Sequence, residues 1–297
     1  MAEEVVLRLT RSLANGTGMR NLCLAGGVAL NCVANGKILR DASFDNVWVQ
    51  PAAGDAGGAL GAALTAYHSF QDQPREASHG LDNMQGSYLG PAFETADTEQ
   101  RLRAAGAEFS VLDDDEIINA TAVALAAEKA VGWFQGRMEF GPRALGGRSI
   151  LGDPRSPAMQ KTLNLRVKYR ESFRPFAPSV RREDVAEWFE LDGDSPYMLM
   201  VADVIESRRR QMTEAENALF GIDKLNVARS EIPPVTHVAY SARIQTANAE
   251  TNQRYPAPLP RFQELTGLPV VLNPTLTVPG QRVLCRLQTA FRTCLGC

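Results

Sequence analysis

Histidine is scarce in this chain, and so is every pattern that usually makes it catalytic. The three histidines, at 68, 79 and 237, form no His-x-x-x-His pair and no zinc-ligand spacing. The five cysteines, at 23, 32, 285, 294 and 297, are too few and too irregular for a disulfide framework, which points to a reducing cytoplasm. Cys294 and Cys297 have redox spacing but no thioredoxin-like surroundings, and read as incidental. No apolar run approaches the roughly 18–20 residues of a membrane helix. The acidic start, Met1-Ala-Glu-Glu, lacks the basic n-region of a signal peptide. A phosphate loop of the Gly-x-x-x-x-Gly-Lys-Ser/Thr kind and a Gly-x-Ser-x-Gly nucleophile elbow are also missing. With 24 Gly and 17 Pro in 297 residues and a net charge of −3, collagen-like and disordered classes are excluded. These absences leave a soluble cytoplasmic protein, long enough for two domains that each bury a core.

The small net charge hides a segregation. From Arg137 to Arg182 there are nine Arg and two Lys against Glu139, Asp153 and Glu171. Of the 31 basic residues in the chain, 26 are Arg. A solvated basic face is the plain interpretation. The interleaving with Gly, Pro and Phe favours anion binding instead, because the planar guanidinium fork captures phosphate or carboxylate bidentately.

The pattern of apolar residues predicts a helix over Glu3–Ala14, a strand from Asn21, a helix from Val28 to Arg40, a strand at Val47–Gln50 and a small-residue helix over Ala59–Tyr67. This βαβα order is the α/β signature of a mostly parallel sheet. Residues 71–96 read as a linker by composition. A mixed α+β unit is expected over 97–297. Its helices fall near 97–105, 115–129 and 259–266, and its strands at Glu108–Leu112, Val131–Phe134, Tyr197–Asp203, Thr236–Tyr240 and Pro269–Leu272.

Several clusters could carry chemistry. Two strand-to-helix turns hold glycine pairs, Gly26-Gly27 and Gly57-Gly58, where backbone N–H groups can approach a phosphate. Asp55, in the second turn, reads as a helix N-cap or as a metal ligand. Arg143 lies in the Gly-flanked run Phe140-Gly-Pro-Arg-Ala-Leu-Gly. Lys168, Arg170 and Arg174 run into a Pro-stiffened stretch expected to be extended, where alternate residues share a face and converge on one anion. Arg243 follows the apolar run after Pro234, and Asn273 with Thr275 ends another. His237 stands alone in its strand and reads as structural.

Taken in order, NLCLAGGVALNCVANGKILR, PAAGDAGGALGAAL, GRMEFGPRALGGRSILGDPR, VKYRESFRPFAPSV, THVAYSARIQT and LTGLPVVLN make the chain similar to the O-carbamoyltransferases of the nodulation-protein-U and cephamycin type, over roughly residues 1–280. The resemblance implies the C-terminal part of an ASKHA-type α/β domain over 1–70, the linker at 71–96, and a YrdC-like α+β domain over 97–297. It further implies formation of carbamoyl-adenylate from carbamoyl phosphate and ATP, then transfer of the carbamoyl group to a hydroxyl of a sugar or antibiotic. Carried over by position, Arg143, Lys168, Arg174 and Arg243 would hold carbamoyl phosphate, with Asn273 and Thr275 beside it. Gly26, Gly27 and Asn31 would line the nucleotide, and Asp55 would match the metal-binding Asp. The metal would be Fe2+ or another divalent ion, with Mg2+ as an alternative; the family's His-x-x-x-His ligands lie upstream of the matched stretch, so this chain alone is not expected to hold it.

The family's Leu-Asn-Thr-Ser-Phe-Asn-Val segment reads here Leu272-Asn-Pro-Thr-Leu-Thr-Val, and Pro274 removes an N–H that could meet an anion. A fragment or degenerate copy is therefore the expectation. The competing readings are a nucleotide or carbamoyl phosphate-binding module without turnover, and a tRNA-modification-related binding protein. Against nucleic acid, the basic run lacks the interleaved exposed aromatics of single-strand binders. No membrane partner is expected, and a homodimer is left open.

Overall fold

The acidic first turn of α1 (Ala2–Thr17), with Glu3 and Glu4, suits the positive end of the helix dipole, and Gly18 ends it in the left-handed region. The computed structural model describes residues 1–76, 82–277 and 289–290. His79, Cys285, Cys294 and Cys297 lie outside the described residues. Val6, Leu7 and Ala14 of α1 pack on Leu22, Ile38 and Phe44. Next come β1 (Asn21–Leu24), α2 (Cys32–Asp41), β2 (Asn46–Val49) and α3 (Asp55–Thr65). β1 and β2 pair in parallel, from Asn21 with Asn46 to Leu24 with Val49.

The continuous helix expected from Val28 is broken. A single 3-10 turn covers Gly27–Leu30, and Asn31 then caps α2 by accepting the N–H of Ala34 at 3.2 Å. Asp55 is not a cap: Gly54 holds that position, and Asp55 is the first helical residue.

Within the stretch that composition marks as a linker, residues 71–76 are exposed, whereas residues 82–88 pack firmly. Asp82 accepts the Tyr197 hydroxyl at 2.6 Å and the Trp48 indole N–H at 2.9 Å, and the Ser87 hydroxyl donates to the Phe140 carbonyl at 2.6 Å. α4 (Thr95–Ala104) and α5 (Asp114–Ala126) follow, the latter opened by a capping box between Asp113 and Glu116. The strand expected at Glu108–Leu112 does not form. Val111 is 65% exposed, and β3 (Val131–Phe134) takes its partner from β4 (Arg148–Leu151) instead.

α6 (Pro157–Thr162) begins with a Ser156 cap and passes into a wide π-type turn over Leu163–Val167. β5 (Pro178–Arg181), β6 (Met200–Asp203), short α7 (Glu214–Ala218) and α8 (Gly221–Leu225), β7 (Ser241–Ala247), α9 (Pro258–Thr266) and β8 (Val270–Leu272) complete the described elements. The strand expected at Thr236–Tyr240 is a turn, closed by Tyr240 at φ 58°, and the strand starts one residue later. The sheet order is β6-β7-β5-β8, with β5 and β7 parallel and the other pairs antiparallel. Bridges from Ser149 to Thr275 and from Gly152 to Leu272 tie β4 to β8. Val180, Ile244, Tyr255, Phe262 and Leu272 fill the main core. The chain is thus a mixed α/β fold whose strand ends and loops meet around one cavity. No helix among the described residues is long and apolar enough to cross a membrane.

Candidate functional site

The loop from Glu139 to Arg148 is built around a buried carboxylate. One Glu139 oxygen accepts the backbone N–H groups of Leu145 and Gly147, each at 2.7 Å, and of Arg148 at 3.3 Å. This ring of donors holds the loop closed. Gly141, at φ 149°, brings it against the turn after β2, where a Cβ would sit 2.9 Å from the Pro51 carbonyl oxygen. Arg143, at the loop's tip, enters a cavity of about 1050 Å³.

Among the described residues, five cations and a single carboxylate, Asp55, line that cavity. Arg143 comes from the loop and Arg243 from β7, where period-two alternation places Gln245 on the same face. Gln245 donates to the Leu145 carbonyl at 2.9 Å and accepts from the Asn273 amide at 2.5 Å. Asn273 also donates to the Ala144 carbonyl at 3.2 Å, so it braces the loop from the end of β8. Lys168 hydrogen-bonds the Thr275 carbonyl and, at 2.9 Å, the Thr277 hydroxyl. Arg170 donates to Asn164 at 2.6 Å and stacks over Phe176, 4.9 Å from the ring centre. Arg174 is exposed and ion-paired with Glu171 at 2.9 Å.

Burial and mutual repulsion set the electrostatics. Burial lowers the pKa of Arg143, and burial together with Arg143 pulls Arg243 down to about 10, which leaves Arg243 charged at neutral pH. Arg170 is lowered by burial and then by Arg174. His237, which lines the same cavity, is lowered by burial and by Arg243, which favours the neutral imidazole. The Nε atoms of Arg143 and Arg243 are buried without a hydrogen-bond partner among the described residues. Unsatisfied buried donors of this kind are costly.

Of the site residues expected from the sequence, Gly27, Asp55, Arg143, Lys168, Arg170, Arg174, Arg243, Asn273 and Thr275 line the cavity. Gly26 and Asn31 do not, since Asn31 is spent on capping α2. The convergence of Lys168 and Arg170 has a different cause from the one expected. The chain is not extended there; the π-type turn ends at Lys168, and Tyr169 is left-handed at φ 47°. Much of the basic run has other work: Arg155 pairs with Asp153, Arg181 with Asp184, and Arg182 with Asp194. Arg148 is fully buried and donates to the carbonyls of Gln135 and Pro91.

Sequence reasoning assigned no role to Cys32 and only a structural one to His237, yet both face the cavity. The available signals were Cys32 five residues after the Gly26-Gly27 pair and His237 six residues before Arg243. A metal does not fit what is present. Among the described residues no group of three or more His, Cys, Asp or Glu side chains could hold one.

A family model described as Carbamoyltransferase C-terminus matches residues 122–297, and one described as Carbamoyltransferase N-terminus matches residues 1–64. A Synechocystis protein, sll1178, is 53% identical over 98% of this chain and 48% of its own length. Nodulation protein NolO of Bradyrhizobium diazoefficiens is 38% identical over 99% of the chain and 50% of its own length. The 3'-hydroxymethylcephem-O-carbamoyltransferase of Streptomyces clavuligerus is 33% identical over 96% of the chain and 47% of its own length. The chain spans about half the length of the curated relatives it matches. With more than half of its residues matched by one family model, and its cationic cavity built largely from that part, the chain belongs to the carbamoyltransferase family.

Proposed function

We propose that the cavity is the carbamoyl phosphate site of an O-carbamoyltransferase whose acceptor is a hydroxyl on a small molecule such as a sugar or antibiotic. The observation that supports this reading most is the convergence of Arg143 and Arg243, with Lys168, Arg170 and Arg174, on one cavity. Two like charges line that cavity, and an anionic ligand would offset their repulsion. A phosphoryl dianion fits five cations better than a single carboxylate ligand would.

In this reading Arg143 and Arg243 grip the phosphoryl oxygens, and Arg170, Arg174 and Lys168 add charge from the opposite segment. Asn273 and Gln245 keep the Arg143 loop in place. Cations so placed stabilise the negative charge that grows on phosphate as its bond to the carbamoyl carbon breaks. Water adds at that carbon, phosphate departs, and the carbamate oxygen then attacks the α-phosphorus of ATP. The products are carbamoyl-adenylate and pyrophosphate. The Gly27 turn and the start of α2 are the proposed nucleotide side, since a helix N-terminus favours phosphate. The proposed division has an ASKHA-type part over 1–70, the connecting stretch at 71–96 and a YrdC-like part over 97–297.

The test is carbamoyl phosphate-dependent pyrophosphate release from ATP, run beside an assay for carbamoylated product with sugar and aminoglycoside acceptors. Pyrophosphate that appears only with carbamoyl phosphate supports the donor half of the reading. Binding without pyrophosphate would make this chain a capture module.

A further inference from the structure

Cys32 shares the cavity with the arginine pair, and its side chain has no part in the reading above. It is the first residue of α2, half-buried, and not in a disulfide. Its side chain lies beside Arg243, and Arg143 lines the same cavity. Independently of the thiol, Arg143 and Arg243 both line this cavity, and each keeps a buried Nε with no partner among the described residues. A sulfur nucleophile beside two cations that accept an anionic leaving group is the arrangement for thiol attack on an acyl phosphate.

We infer that Cys32 is a carbamoyl acceptor that takes the group directly from carbamoyl phosphate to become S-carbamoylcysteine. The inference rests on the reading of the cavity as a carbamoyl phosphate site. A sulfur electron pair forms the S–C bond to the carbonyl carbon, and the C–O bond to phosphate breaks. The phosphate leaves toward Arg143 and Arg243 and takes up the thiol proton. No oxidant, metal or nucleotide is consumed. Cys23, exposed on β1 and absent from the cavity lining, is the internal control.

The experiment treats the full chain with carbamoyl phosphate and follows each cysteine by peptide mass spectrometry. A parallel sample receives cyanate, which carbamoylates thiols without bringing a phosphate. The expected result is a carbamoyl mass on Cys32 that forms about tenfold faster than on Cys23. That preference should vanish with cyanate, fall when inorganic phosphate is added, and fall in Arg243→Gln. Equal rates at the two cysteines, or the same preference with cyanate, would overturn the inference. Shielding of Cys32 from iodoacetamide by carbamoyl phosphate, with no carbamoyl mass gained, would overturn it while leaving the donor-site reading intact. Neither shielding nor mass would remove both.

Discussion

The Glu139 carboxylate accepts the backbone N–H of Leu145 at 2.7 Å from inside the loop that carries Arg143. Glu139 is only 2% exposed, and the same oxygen also takes the N–H groups of Gly147 and Arg148. Glu139→Ala would strand these buried donors and should cost roughly 3 kcal/mol of stability. Urea denaturation measures it; a loss below about 1 kcal/mol would mean the loop is held by other contacts.

Glycine positions give a paired test of packing. A Cβ on Gly146 would overlap the Tyr255 ring, and Gly146 sits at φ 108°. Gly146→Ala should therefore destabilise the chain by about 3 kcal/mol or more. Gly61, inside α3, has nothing within 4 Å of the place an added methyl would take, so Gly61→Ala should stabilise the helix by about 0.5–1 kcal/mol. Thermal midpoints of the two variants should move in opposite directions.

How far the site could be read from the sequence depended on the kind of element. Arg143, Asn273 and Thr275 were legible because loops and strand ends carry them, and side chains there reach a common cavity. Arg243 was found by its motif, although it sits within β7 and not after an apolar strand. Lys168 was found with the wrong geometry, because a π-type turn is set by packing of Leu163 and Val167 and leaves no spacing signature. Residues 82–88 looked like linker because their hold comes from scattered contacts, such as Asp82 with Tyr197 and Met84 in an apolar cluster, and not from apolar periodicity. β4 and β5 went unseen for the opposite reason. Arg148, Ser149 and Ser179 are polar residues buried within these strands, where an apolar pattern would be expected.

His237 gives a pH dependence whose sign follows from its surroundings. Burial and Arg243 hold its folded pKa below the ordinary 6.5, so the unfolded chain binds more protons in acid. Its contribution to stability is present above about pH 6.5 and is lost as the pH falls toward the folded pKa. His237→Gln should flatten the fall in urea midpoint below that pH. An unchanged slope would place the acid sensitivity elsewhere.

Arg143 and Arg182 separate cavity charge from surface charge. Arg182 pairs with Asp194 and does not line the cavity. Arg143→Ala should weaken carbamoyl phosphate binding by about 1.5–3 kcal/mol, the scale of a hydrogen bond to a charged group. Arg143→Lys should not restore it, because a point charge cannot replace a fork. Arg182→Ala should bind as the parent does.

The central claim is that the cavity takes a carbamoyl phosphate dianion on Arg143 and Arg243, and calorimetric titration tests it most directly. Carbamoyl phosphate is titrated into the parent chain, Arg143→Ala, Arg243→Gln and Arg182→Ala under one salt condition. The account predicts saturable binding by the parent and Arg182→Ala and a clear loss in the other two. No binding by the parent, or equal binding by all four, would contradict it.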